Sequence, residues 1–266
     1  MSHAFRLLLS LVVALACGAA AAAAPASVFL EELTWTELRD QVKEGSTTVI
    51  VPIGGTEQNG PAMVLGKHNL RAKVLAGRIA SGLGHTLVAP VVAYVPEGAV
   101  NPPTAHMRYA GTITIPDAAF ETTLEYTARS LRQHGFKDIV LVGDHGGYQT
   151  NMKRVAERLN REWAHGPARV HALEDYYRAF NDEYRALLKG KGLRDDEIGT
   201  HAGLADVALS LAVDPQLVRS ERLASTGAGE GATGDARRAT AALGQLGADL
   251  IVGRSIEAIR RALARR

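Results

Sequence analysis

Two periods of apolar residues alternate along the chain. Four short runs are dense in β-branched and aliphatic residues: "TTVIVPI" (47–53), "TLVAPVVAYV" (86–95), "DIVLVG" (138–143) and "ARVHAL" (168–173). Continuous apolar runs of this length, bounded by Gly, Pro and Asp, read as strands buried on both faces of a parallel sheet. Between them the spacing becomes helical. Leu70, Val74, Leu75 and Ile79 share one side of "LRAKVLAGRIASGL", and Phe120, Leu124, Thr127 and Leu131 share one side of the next helix, with Gly135 as its stop. "QTNMKRVAERLNREWAHG" (149–166) repeats the design. Strand, helix, strand, helix predicts an α/β fold with right-handed crossovers. No repeat of 20–50 residues interrupts it. The glycine-rich "STGAGEGATGDA" (225–236) has no periodicity and is expected to be a long surface loop before a C-terminal helix.

The first residues follow another logic. Arg6 precedes an apolar stretch from Leu7 to about Ala16, then small residues around Ala24-Pro25-Ala26. This is the layout of a signal peptide, and the apolar run is too short to span a bilayer of roughly 30 Å. We expect residues 1–26 to be a cleaved signal peptide and 27–266 a single domain, placed in the periplasm or secreted. "ALAC" lacks the large apolar residue that a lipoprotein site carries three positions before Cys17. Cys17 is the one cysteine and leaves with the signal, which excludes a disulfide framework, a thiol nucleophile and thiolate metal ligands. Net charge is +2 with both signs interspersed, so no nucleic-acid stripe is expected. The basic "IRRALARR" reads as the solvated face of a last helix, and no membrane contact is expected after signal cleavage.

Chemistry-bearing residues cluster in four places. "GGTEQNGPAMVLGKHN" (54–69) carries Glu57, Asn59 and His68 just past a buried strand, where open α/β sheets place their sites. "PEGAVNPPTAHMRYAGTITI" holds His106 and Arg108 on a long loop. "LVGDHGGYQTN" puts Asp144 and His145 past another strand, ahead of Tyr148. "GTHAGLADVAL" sets His201 and Asp206 at the start of an apolar helix. Each has a bland alternative: Asp144 as a helix cap, Asp206 as a solvated helix residue, His106 and Arg108 as exposed loop. Together they offer oxygen and imidazole donors and no sulfur, which suits Zn²⁺, Mn²⁺ or Fe²⁺. The absence of G-x-S-x-G argues against a serine α/β-hydrolase, and the absence of G-x-G-x-x-G argues against a dinucleotide site.

These stretches, in order, resemble the creatininase family. "VPIGGTEQNGP" is similar to its strand followed by G-S-x-E-Q-H-G-P, "GTITI" to G-T-I-S-L, "GFKDIVLVGDHGG" to G-F-x-x-I-V-L-V-N-G-H-G-G-N, and "THAGLADVAL" to H-A-G-E-x-E-T-S. "GATGDARRATAALG" is similar to G-D-P-x-x-A-T-x-x-x-G. The resemblance implies a three-layer α/β fold with a mostly parallel sheet flanked by helices. It implies a homo-oligomer, often a hexamer, and a metal centre, commonly binuclear, that activates water to cleave C–N amide bonds. By position, Glu57 and His145 match metal-binding residues, and His201 matches a histidine that faces substrate. Asn59 stands where a metal-binding His is usual, Ala62 where a His commonly follows G-P, and His68 in place of a bridging Asp. Gly147 stands where part of the family has a metal-binding Glu, and Asp206 aligns with the Glu of E-T-S.

A carboxylate can bridge two cations, whereas an imidazole offers one lone pair to one metal. The expectation is therefore a site for one ion per protomer rather than two. Its ligands would be Glu57, His68 and His145 with Asp206 as fourth ligand or general base, and zinc is expected ahead of manganese or iron. Asp206 or Asp144 would take the water's proton, His201 would protonate the leaving nitrogen, and Asn59, His106, Arg108 and Tyr148 would hold a small-molecule substrate. The alternatives are a binding protein that kept the fold and lost turnover, and a metal-dependent lactonase.

Overall fold

A computed structural model describes residues 27–225 and 230–265. The expected signal segment lies outside the described residues. The elements run α1 (Trp35–Lys43), β1 (Thr48–Ile53), α2 (Lys67–Leu83), β2 (Thr86–Val88), α3 (Asp117–Gln133), β3 (Asp138–Gly143), α4 (Gln149–Glu162) and β4 (Arg169–Ala172). Then come α5 (Glu174–Arg178), a π-helical turn (Ala179–Tyr184), α6 (Arg185–Gly190), α7 (Asp195–Ile198), α8 (Leu204–Val213) and α9 (Ala241–Leu263). The four strands form one parallel sheet in the order β2-β1-β3-β4.

Side chains alternate across each strand, and the alternation sorts two cores. Val49, Val51, Ile53, Ile139 and Leu141 face one layer with Phe120 and Leu124 of α3 and Met152, Val155 and Leu159 of α4. Ile50, Val88, Val140 and Val142 face the other, with Leu75 and Ile79 of α2, Leu204 and Leu209 of α8 and Ile251 and Ile259 of α9. Helices, sheet and helices make the three layers the resemblance implied. No described helix is long and apolar enough to cross a membrane.

Two elements differ from their sequence pattern. The run 86–95 is a strand only to Val88, because Pro90 has no N–H to give a ladder. Beyond it the chain stays extended, and Val92 pairs with Ile53 through Val92 N–H to Pro52 O (2.9 Å) and Gly54 N–H to Val92 O (3.0 Å). This carries residues 95–98 to the carboxyl ends of β1 and β3. The described part of the glycine-rich segment, 230–236, is not a free surface loop. Thr233 bridges antiparallel to His201, and Ala232 and Ala236 are buried beside Met63 and Val218.

Candidate active site

The site is built where three chain segments leave the carboxyl edge of the sheet. After β1 the backbone turns through Gly55 at φ 146°, where a Cβ would lie 2.7 Å from Glu97 Oε1. Only glycine lets Glu57 and Glu97 approach each other there. The Asn59 amide donates to the carbonyls of Glu57 (2.9 Å) and Val64 (3.1 Å), which folds the loop and fixes Glu57. After β3 the chain delivers Asp144 and then His145. The extended segment after β2 delivers Glu97, and the following loop delivers His106.

Glu57, Glu97, His106 and His145 converge, with one donor atom from each lying within 4.8 Å of the others. Glu57 Oε2 is 3.2 Å from His106 Nε2 and 3.6 Å from His145 Nε2, and Glu97 Oε2 is 4.0 Å from His145 Nδ1. Both carboxylates are buried, yet Glu57 Oε2 and both Glu97 oxygens accept no aligned hydrogen bond. Buried polar atoms are ordinarily satisfied. Burial and the adjacent negative charge of Glu57 push the Glu97 carboxyl up to about 9. Burial also pushes His145 down to about 3. Burial acts to raise Glu57 as well, but the hydrogen bond and charge of His68, with Lys67 behind, hold it well below the usual carboxylate range. Two carboxylates and two imidazoles, short of positive charge and of hydrogen bonds, are a donor set that fits a divalent cation. Glu97, His106 and His145 line a cavity of about 500 Å³, together with Gly98, Asp117 and Gly147, and Glu57 is buried behind them.

His201 stands beside this group. Its ring lies 4.5 Å from that of His106, and its Nε2 lies 2.9 Å from Gln58 O. Gln58 Nε2 spans the two histidines, 3.0 Å from His106 Nδ1 and 3.1 Å from His201 Nε2. Ala105 and Ala202, the chain neighbours of His106 and His201, sit at φ 46° and 53°. Backbone held in that region marks places where surrounding structure dictates geometry. Burial lowers His201 to about 4, helped by Lys67.

The sequence profile of the creatininase family (creatinine amidohydrolase) matches residues 31–259. The chain belongs to the creatininase family. Members of this family are metal-dependent amidohydrolases acting on non-standard amide bonds. The chain is 27% identical over 205 residues to the creatinine amidohydrolase of Pseudomonas putida, covering 74% of this chain and 76% of that protein. It is 25% identical over 198 residues to a 3-dehydro-scyllo-inosose hydrolase of Thermotoga maritima, and the match spans only 60% of that relative's length. It superposes on a solved creatininase in its Mn form with a TM-score of 0.74 at 25% identity, over 89% of this chain and 99% of that one.

Within this creatininase-family chain the expected site residues divide. Glu57 and His145 join the cavity group, and so does His106, which was expected to hold substrate. Glu97 was not singled out at all. The other expected ligands stand behind the group. His68 is clamped between carboxylates, Nδ1 2.5 Å from Asp144 Oδ2 and Nε2 2.9 Å from Glu57 Oε1, so neither nitrogen is free for an ion. Asp206 accepts from Arg71 (2.8 Å) and from Ala202 N–H (2.9 Å) and lies 3.2 Å from Lys67 Nζ. Asp144 accepts from Tyr176 (2.7 Å) and Arg71 (3.0 Å) as well as facing His68. With their oxygens so occupied and buried, neither aspartate is placed to take a proton from the cavity. Tyr148 is fully buried, its one O–H shared between the Gly54 (2.7 Å) and Ile53 (2.9 Å) carbonyls, so it shapes the β1 turn rather than touching a substrate. Asn59 is likewise spent on the loop. Arg108 is exposed, reaches only the Pro103 carbonyl (3.5 Å), and does not line the cavity.

Proposed function

We propose that this protein is an exported amidohydrolase that cleaves a C–N amide bond of a small molecule with one divalent ion per chain, held by Glu57, Glu97, His106 and His145. The observation that supports it most is the buried group at the cavity, where three carboxylate oxygens of Glu57 and Glu97 accept no hydrogen bond and face two imidazoles. Zinc suits the donors best, with manganese or iron as alternatives. A bound ion there supplies Lewis-acid activation of water and of the amide carbonyl.

The protein's own groups do the rest. His201 is neutral at physiological pH, with Nε2 2.9 Å from Gln58 O and 3.1 Å from Gln58 Nε2. It takes the proton of the attacking water and returns it to the leaving nitrogen. Gln58 keeps His106 and His201 in register. The lining residues bear no lysine or arginine and include the Asp117 carboxylate, which favours a neutral or basic amide over an anionic one. Export rests on the N-terminal signal pattern, and assembly into a homo-oligomer, a hexamer in the family resemblance, completes the reading.

A panel of cyclic amides, formamides and short peptide amides, with matched lactones, tests the reaction. Turnover of an amide that chelator abolishes and His145→Ala removes supports the reading. Faster turnover of lactones would make the protein a lactonase. Ligand binding that survives both chelator and His145→Ala, without turnover, would make it a binding protein.

A further inference from the structure

Lys67 opens α2, yet its side chain is 1% exposed. Its ammonium lies 3.2 Å from Asp206 Oδ2 and 3.9 Å from Glu57 Oε1 and makes no aligned hydrogen bond. A buried charge without hydrogen bonds is held only by opposite charge. Two carboxylates supply it here, and Lys67 in turn contributes to holding both Asp206 and Glu57 ionised. The ammonium does not line the cavity and is sealed from solvent. Its surroundings are those of a metal ion rather than of an ordinary lysine. Glu57 Oε1 and Asp206 Oδ2 flank it, and His201 Nδ1 lies 3.8 Å from the same Glu57 oxygen. Two carboxylate oxygens and an imidazole nitrogen are donors a divalent ion takes.

We propose that Lys67 is a built-in cation: its ammonium fills the position between Glu57 and Asp206 that would otherwise bind a second metal ion, and so limits the protein to one exchangeable ion. Glu57 then serves two cations from one carboxylate. Oε1 faces the permanent charge of Lys67, and Oε2 faces His106, His145 and the exchangeable ion. The inference deepens the reading above and rests on it for the ion in the cavity group.

The test is metal content by elemental analysis after metal-free protein is reconstituted with excess zinc and freed of loose ion by gel filtration. Wild type and Lys67→Arg should hold one ion per chain and Lys67→Ala two. Lys67→Ala combined with Asp206→Asn should return to one, which assigns the extra ion to this position. One ion in Lys67→Ala overturns the proposal, as do two in wild type. A Lys67→Ala chain that stays unfolded in excess zinc also overturns it, because the divalent ion is required to replace the ammonium. No ion in wild type but one in Lys67→Ala would uphold this inference while removing the metal from the proposed function.

Discussion

Two groups of charges meet at Glu57, and they differ in completeness. Behind it, Lys67, His68 and Arg71 of α2 face Asp144 and Asp206, and each aspartate has several partners at 2.5–3.2 Å. In front of it, Glu97, His106 and His145 face the cavity with carboxylate oxygens left over and no protein cation among them. The rear group is closed by ion pairs, although Lys67 Nζ makes no aligned hydrogen bond there, and the front group is open. A closed network of buried charges specifies one geometry. An open one, held rigid by the closed one, is ready to take a ligand without rearranging. Glu57 is the shared wall, which is why its orientation matters to both.

The sharpest way to break the comparison is to remove a cavity imidazole. His145→Ala should lower metal affinity and turnover by more than the roughly 100-fold that losing an outer partner costs. Its melting temperature in metal-free buffer should move little, because the ring's hydrogen bond is one local contact, Nδ1 accepting from Gly147 N–H (3.2 Å). Calorimetric titration with zinc and amide turnover read the two effects. Arg71→Met should do the reverse. It leaves Asp144 and Asp206 short of a buried partner, and unfolding in urea should show a loss of about 3–5 kcal/mol.

His68→Ala lies on the boundary. It removes the group that orients Glu57 and should weaken metal binding by roughly 10- to 100-fold, while metal stoichiometry stays unchanged. pH gives a smaller effect. In the metal-free protein Glu97 keeps its proton to about 9, whereas the unfolded chain releases it near 4.5. Unfolding therefore releases a proton in this window, and stability should fall as pH rises through it. The fall should show above pH 6.5, where the opposite contribution of His145, lowered to about 3, has ended. Urea unfolding of metal-free protein at a series of pH values should show the decline, and Glu97→Gln should flatten it. Smallest of all, Arg108→Ala should change neither metal content nor turnover, because that side chain is exposed and lies outside the cavity lining.

Much of the frame could be read from residue patterns. Strands β1 and β3 are dense apolar runs buried throughout, whereas β4, at the sheet edge, buries only Val170; the residues just past β1 and β3, Glu57 and His145, are where a parallel sheet exposes its chemistry. Glu97 escaped because "VPEGAV" has no helix after it and no motif around it. The one signal was its place at the end of the apolar run 86–95, which Pro90 disguises as a single strand. Lys67 escaped for a different reason. A lysine at the first turn of an amphipathic helix is ordinarily solvated, and only the tertiary fold shows this one sealed against two carboxylates. His68 and Asp206 were expected at the ion because their residue types suit it. Their partners, Asp144 for His68 and Arg71 for Asp206, lie far off in sequence, and no local spacing announces the pairing.

The most direct test is anomalous diffraction at the zinc, manganese and iron edges from crystals of protein reconstituted with each metal. The expected result is one peak per chain, about 2.0–2.2 Å from donor atoms of Glu57, Glu97, His106 and His145, with Lys67 still between Glu57 and Asp206. A peak at His68 and Asp206 instead, or no peak in the cavity group with any of the three metals, would contradict the account.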